Sequence, residues 1–505
     1  MNNLPAQPPG NDRSDGEFVE NVHPSAWQNP VSADRYNLVV IGAGPGGVTA
    51  AREAAALGAK VALIERDLIG GDRLNVDCVP SKTILRTARL YADMRAAADF
   101  GAQVPAGINA AFPMAMERMR LIQARLSRVD SAQRLSEAGV DVYFGAACFT
   151  GPQTISAGGA SLRFRKAIIA TGARPLAPTI PGLEACGYLT SETVFQLAEC
   201  PRRLLVMGGG PLGCELAQAF CRLGAHVVIA QDDPMFLPRE ERDAAQALSN
   251  ALSRDGVEAH LNTSVVAVRM DGPTKVVDLA SGGETFSVSV DEILVGIGRA
   301  PNVEGLGLQA AGVRYDAESG IHVDDFLRTS NHRVFAAGDV CLDRKFAHAA
   351  EASARIAVGN ALFLGRSRLS ALTIPWCTYT DPEIAHVGLY VREARRRAIP
   401  VRTFTILMHD VDRAVTDGEA GGFVKIHVKD GTDRILGATI VARHAGEMIN
   451  GISLAIDSGI GLRALARVIH TYPTQAEAIK MAAEAYDRTR VTPARKAVTR
   501  RWLGR

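Results

Sequence analysis

Two stretches of this chain repeat one pattern of apolar and polar positions. The first has a β-branched run at Asn37–Ile41, a glycine-rich turn at Gly42–Gly47, an apolar-faced helix to about Leu57 and a second strand at Lys60–Glu65. The second has a run at Arg203–Met207, a turn at Gly208–Gly213, a helix to about Leu223 and a strand at His226–Ala230. Strand, turn, helix, strand is the parallel βαβ unit. Between the repeats, Phe112 to about Leu135 reads as one long amphipathic helix, and a strand-rich stretch follows to Ala170. After Thr373 the pattern changes to strands at Gly422–Val428 and Ile435–Val441, mixed with helices at His444–Ser458 and Leu462–Arg467. That is an α+β module. Residues 1–34 carry no periodic apolar pattern and read as a flexible N-terminal extension, with Trp27 available to pack on the body.

At 505 residues the chain exceeds one hydrophobic core, and 47% hydrophobic with 22% charged residues is ordinary for a globular protein. A net charge of +2 favours no class of partner. No window has the apolar length of a membrane span, and the first thirty residues have no signal-peptide core, so a cytoplasmic location is expected. The eight cysteines are scattered without a Cys-x-x-Cys pair or zinc-ligand spacing. No metal site is expected. Cys214 and Cys221, two turns apart on one helix, read as core. The last stretch, 488–505, is a basic tail, read as solvated, with weak attraction to an anionic membrane as the alternative.

Both glycine turns have the spacing of a dinucleotide fingerprint. In the first, Gly42 permits the tight turn, Gly44 the approach of a pyrophosphate and Gly47 close helix–strand packing, while the helix N-terminus offers free N–H groups. Glu65 ends the next strand, where a carboxylate accepts from ribose hydroxyls. In the second, Gly208, Gly210 and Gly213 repeat the spacing, and the following strand ends at Gln231, Asp232 and Asp233. Two acids there repel a 2′-phosphate, which favours NADH over NADPH, although Arg239 and Arg242 follow closely.

The segment Gly70-Gly71-Asp72-Arg73-Leu74-Asn75-Val76-Asp77-Cys78-Val79-Pro80-Ser81-Lys82 resembles the redox segment of the pyridine nucleotide-disulfide oxidoreductases. The family pattern there is Gly-Gly-x-Cys-Leu-Asn-x-Gly-Cys-[Val/Ile]-Pro-Ser-Lys. Arg73 stands where the family has its first redox cysteine, Asp77 stands where it has a small residue, and Cys78 remains. The resemblance runs from about Tyr36 to Glu484. Ala170-Thr171-Gly172-Ala173-Arg174-Pro175 is similar to the family's ATGxxP turn, and Gly296–Asn302 to its GxGRxPN segment. Phe335–Asp339 is similar to the A-x-Gly-Asp motif, and Thr380–Ala385 to the segment opening the dimerisation domain. The likeness is strongest to the mercuric reductase and dihydrolipoamide dehydrogenase branch.

The resemblance implies an α/β fold with two Rossmann-like dinucleotide-binding domains, for FAD and NAD(P), plus a C-terminal α+β dimerisation domain. The implied boundaries are 35–172 and 301–371 for the FAD domain, 173–300 for the NAD(P) domain and 372–487 for the dimerisation domain. It implies cofactor contacts at Thr171, Gly172, Gly298, Arg299 and Asp339, the last with the FAD ribityl chain, and an ion pair of Lys82 with Glu215 beside the flavin. It also implies a homodimer. In relatives, the run matching His470–Glu477 carries a base oriented by a glutamate. Here Tyr472 holds the base position, Glu477 the glutamate, and His470 is structural.

No cysteine follows Cys377 and no N-terminal Cys-x-x-Cys precedes the body, so mercuric ion reduction is not expected. Lipoamide chemistry needs the missing cysteine and histidine. Continuous helix through the redox segment would pair Arg73 with Asp77 at i, i+4. Asp77 raises the Cys78 thiol pKa and Arg73 acts in the opposite sense. The expected activity is an FAD-dependent NAD(P)H oxidoreductase that passes hydride equivalents to an external acceptor such as a quinone without a disulfide relay. Two alternatives stand beside it: a single-cysteine thiol or peroxide reductase using Cys78, and a degenerate FAD-binding paralogue with little turnover.

Overall fold

The computed structural model describes residues 12–105, 107–491 and 493–504. They fall into two compact units, one of residues up to Asp232 with Asn262–Leu372, the other of Asp233–Leu261 with Thr373 onward.

In the first unit, each glycine turn sits where the pattern put it. The strand β1 (Tyr36–Ile41) leads into helix α2 (Pro45–Ala56) and strand β2 (Val61–Glu65), after a short N-terminal helix α1 (Asp12–Val22). Strand β3 (Val140–Phe144) pairs with β2, β2 with β1, and β1 with β6 (Ala160–Ile169), all parallel. Beyond β6, β5 (Thr154–Ala157) joins antiparallel at its start, and Val334–Ala336 joins parallel at its end. Parallel strands bury both faces, and β1 and β2 are accordingly near-continuous runs of buried apolar residues. The second repeat builds a parallel sheet from Arg203–Met207, His226–Gln231 and Glu292–Val295. Three antiparallel strands, Thr263–Asp271, Thr274–Ser281 and Glu284–Val290, share its core.

Gly47 and Gly213 show why both turns need glycine. A Cβ on Gly47 would lie 1.8 Å from the Gly42 carbonyl oxygen, and one on Gly213 would lie 2.1 Å from that of Gly208. Any side chain there would force helix and turn apart.

Two expectations change. Over its described part, the N-terminal extension is structured. α1 lies against helix α5 (Phe112–Ser127), with Val22 fully buried and Asn21 donating to Ser127 Oγ at 3.0 Å. Trp27 does anchor, donating to the Val142 carbonyl at 3.2 Å. Residues 1–11 lie outside the described part. The long helix expected from Phe112 is two: α5 stops at Ser127, and α6 (Ala132–Glu137) begins at Ser131, whose side chain accepts from the Arg134 amide. An N-cap serine opens a new helix. Residues 173–300 contribute to both compact units. Residues 233–261 group with the C-terminal residues because helix Arg242–Asp255 packs on strand Ile435–Ala442.

The second unit is a five-stranded antiparallel sheet, ordered Trp376–Thr378, Glu383–Gly388, Ile435–Ala442, Phe423–Lys429 and Val401–Leu407. Helices Ala445–Asp457 and Glu477–Thr489 cover it, burying Ile449, Ile452, Ala482 and Tyr486. Among the described residues, no helix is long and apolar enough to cross a membrane, and no group of acids, histidines and cysteines could hold a metal.

Candidate functional site

The two fingerprints are built alike. Glu65, at the end of β2, accepts from the Ala43 amide at 2.7 Å and from the Asp67 amide at 2.9 Å. Gln231, at the end of its strand, accepts from the Gly209 amide at 2.6 Å. Each side chain thus braces the turn that opens the repeat. Burial raises the Glu65 carboxyl pKa, against two amide donors that lower it. The helices that follow start at Gly44 and Gly210, and neither N-cap residue supplies a side-chain acceptor. Their first N–H groups suit the phosphates of a dinucleotide.

The segments carrying the other expected cofactor residues are stapled together. Thr171 Oγ1 donates to the Asn302 carbonyl at 2.8 Å, Asn302 Nδ2 donates to the Thr171 carbonyl at 2.9 Å, and the Asn302 amide donates to the Gly172 carbonyl at 3.0 Å. Gly298 has φ of 140° and precedes Arg299. Arg299 is ion-paired with Asp72, donates to the Ala173 carbonyl at 2.6 Å, and has its Nε 4.0 Å from Asp339. That Nε is buried and without a hydrogen-bond partner. An orphaned buried donor between two acids fits a bound group carrying oxygen acceptors. The residues present therefore fit FAD.

Burial pushes the Asp72 carboxyl up to about 6, with Asp339 and Asp77 adding to it and Arg299 opposing. Burial likewise raises Asp339, against Arg299 and Lys345. Asp72 escaped the sequence reading, although it adjoins Arg73. Lys345, which donates to the Asp339 carbonyl at 2.9 Å, also escaped.

The altered redox segment is not one helix. Helix α3 (Gly71–Asn75) ends, Val76 and Asp77 leave helical geometry, and helix α4 (Cys78–Ala96) starts afresh. Arg73 and Asp77 therefore do not share a helical face. Arg73 pairs with Asp130, which also holds Arg52 at 2.6 Å. The chain distance from position 73 to 130 hid this partner. Gln123 fixes the segment from the other side, donating at 3.0 Å to the carbonyls of both Leu74 and Asn75.

Cys78 opens α4, where free N–H groups would favour a thiolate. Burial nonetheless pushes its pKa up to about 12, with Asp77, Glu215 and Asp72 adding to it and only Lys82 opposing among the named charges. Arg73, turned to Asp130, is not among them. Lys82 Nζ donates to Glu215 Oε2 at 2.9 Å, and Glu215 lies almost wholly buried on helix Pro211–Arg222. Burial disfavours the ammonium, but Glu215, Asp77 and Cys78 outweigh it and raise its pKa. The expected pair is thus formed, and Lys82 stays charged.

In the second unit, Tyr472 is exposed and donates to Asp412 Oδ2 at 2.8 Å rather than to Glu477, which opens helix Glu477–Thr489. The Asp412 carboxylate raises the phenol pKa, both by accepting its proton and by its charge. His470 makes only a 3.2 Å contact with the Val468 carbonyl among the described hydrogen bonds.

The model of the pyridine nucleotide-disulphide oxidoreductases matches residues 36–355, and that of their dimerisation domain matches 374–483. Mercuric reductase of Staphylococcus aureus is 32% identical over 464 residues, covering 91% of this chain and 85% of that protein. Dihydrolipoyl dehydrogenase of Thermus scotoductus is 35% identical over 459 residues, covering 89% and 97%. The structure of the HOCl-induced flavoprotein disulfide reductase RclA from Escherichia coli superposes with a TM-score of 0.80 at 27% identity, covering 89% of this chain and 99% of that one. With both family models matched along nearly the whole body, this chain belongs to the pyridine nucleotide-disulphide oxidoreductase family, whose members bind FAD and use pyridine nucleotides.

Proposed function

We propose that this protein is an NADH-dependent oxidoreductase that delivers reducing equivalents from its flavin site straight to an external acceptor such as a quinone, with no pair of cysteines between. Bound FAD would supply the two-electron chemistry, which belongs to the cofactor. The chain's own residues bind, orient and set charge. The glycine turn at Gly42–Gly47, Glu65, Thr171, Gly172 and Asp339 would hold FAD. The turn at Gly208–Gly213, with Gln231 and Gly298, would hold the nicotinamide cofactor, while Arg299, set between Asp72 and Asp339, would face the FAD side. Gln231 is neutral and Asp232 follows it exposed, so nothing on that strand end attracts a 2′-phosphate. Lys82, kept protonated by Glu215, would place a fixed cation where negative charge develops. Tyr472, kept protonated by Asp412, would offer a proton to the acceptor in a homodimer.

The observation that carries this reading is the state of the altered segment. Arg73 is tied to Asp130, and Cys78 holds its proton far above neutral pH. A protonated lone thiol is a poor nucleophile, which counts against the single-cysteine reductase as well. An anaerobic titration of the purified protein with NADH tests it. Flavin reduction is expected to finish at one NADH per flavin, with no earlier stage showing a long-wavelength thiolate–flavin band. Arg73→Cys with Asp77→Gly is expected to introduce that stage, because Asp130 keeps Arg52 and the fold survives. Uptake of a second NADH equivalent by the unaltered protein would sink the proposal.

A further inference from the structure

The C-terminal segment carries an unbalanced charge. From Arg488 through Arg505 there are seven Lys or Arg and no Asp or Glu. The whole chain nets only +2, so this +7 is offset by a net −5 elsewhere. The segment includes a helix, Pro493–Trp502. Every described side chain from Pro493 to Gly504 is exposed, among them Val498 at 67%, Trp502 at 88% and Leu503 at 64%. A ten-residue helix whose described side chains are all exposed is marginal in water, because few hydrogen bonds offset the cost of nucleation. It needs a surface.

The helical repeat sorts its residues. Ala494, Val498 and Trp502 recur every four positions and share one face, with Ala497 beside them. Lys496 and Arg500 fall on the opposite side, and the long Arg501 side chain can snorkel from the apolar side to a charged layer. Lys496 and Arg500 thus oppose a narrow strip of tryptophan and valine in which Arg501 also lies, and a short cationic helix carrying an exposed tryptophan suits a membrane interface, where long basic side chains reach the charged layer.

We infer that this helix docks the protein reversibly on an anionic lipid bilayer. A duplex nucleic acid would satisfy the cations but leave Trp502 and Val498 in water. A second copy of the tail would repel the first. Ten helical residues span roughly 15 Å, about half of a hydrocarbon core, so the helix lies on the membrane and does not cross it. The docking stands independently of which acceptor the flavin site serves.

Flotation of the full-length protein with vesicles tests this. Binding is expected to vesicles containing phosphatidylglycerol, to be at least about tenfold weaker to pure phosphatidylcholine, and to fade as salt shortens the screening length. Arg500→Glu with Arg501→Glu should weaken binding to the anionic vesicles by about tenfold or more. Val498→Ser with Trp502→Ser should weaken it comparably while leaving the charge unchanged. All these positions are exposed, so both variants should keep the parent's melting temperature and its NADH oxidation with a water-soluble acceptor. Equal binding to neutral vesicles, no binding to either, or variants that bind as the parent does would overturn the inference. So would binding to duplex DNA, abolished by the charge reversal, in a protein that ignores vesicles.

Discussion

Replacing Lys82 by methionine would leave Glu215 as a nearly buried carboxylate without its 2.9 Å ammonium partner. Removing one member of a buried pair costs about 3 kcal/mol, because the survivor keeps its desolvation penalty. Lys82→Met should therefore lower the denaturant midpoint and, if the cation faces developing charge as proposed, slow flavin bleaching by NADH more than tenfold in a stopped-flow trace. Loss of stability with unchanged bleaching would make the pair purely structural. Cys78 makes a prediction of the other sign. Its folded pKa, about 12, stands above the ordinary thiol value of 9.0. The folded chain thus keeps the proton to higher pH than the unfolded chain does. This thiol contributes stability below about pH 9 that is lost as pH climbs towards 12. Alkylation of Cys78 at pH 8 should run about a hundredfold or more slower than that of a free thiol. Cys78→Ser should leave NADH oxidation within about twofold, a direct check on the lone-cysteine alternative.

At the scale of elements, the N-terminal segment behaves as part of the sheet it borders. β3 is paired with β2 on one side, and its other side meets Asn29. The Asn29 amide donates to the Phe144 carbonyl at 2.9 Å while its own oxygen accepts from the Phe144 amide at 2.8 Å. His23 stacks on the Phe144 ring at 4.0 Å. The strap mimics one rung of a missing strand. Asn29→Ala breaks both bonds and should cost about 1–3 kcal/mol, read as a shifted urea midpoint with unchanged slope. This contact also marks the limit of what the sequence discloses. Gly42, Gly47, Gly208 and Gly213 were legible because a close approach admits only glycine, and Lys82 with Glu215 because both sit at fixed offsets in motifs. Nothing in residues 12–34 repeats, so the docking of α1 and Asn29 depends on a surface built more than a hundred residues later. Asp130 is hidden for the same reason. The break between α3 and α4 is not legible from spacing alone, because an i, i+4 offset is as compatible with continuous helix as with the two helices found, where Val76 and Asp77 leave helical geometry. The pause at Arg128–Asp130 was missed although Ser131 signals an N-cap.

For the molecule as a whole, the second unit leaves apolar residues in water that a lone protomer has no reason to expose. Ile469 is 94% exposed, with Val468 at 50%, Tyr472 at 65% and Leu454 at 65%. These residues lie within the stretch matched to the family's dimerisation domain, residues 374–483. In a two-fold dimer the same patch appears on both partners, so one substitution acts twice. Ile469→Asp would set a carboxylate in each copy of that patch, where burial without a counter-ion costs several kcal/mol per group. The charge is harmless on a free protomer, since the side chain is already in water. Sedimentation equilibrium should show the parent as a dimer and Ile469→Asp shifted towards monomer by at least about tenfold in dissociation constant. If Tyr472 serves the partner's flavin, the same variant should lose acceptor reduction while keeping bound FAD and its reduction by NADH, because the residues proposed for those steps all lie in the first unit. A variant that remains dimeric would move the interface away from Ile469, and a monomer with full activity would remove Tyr472 from the reaction.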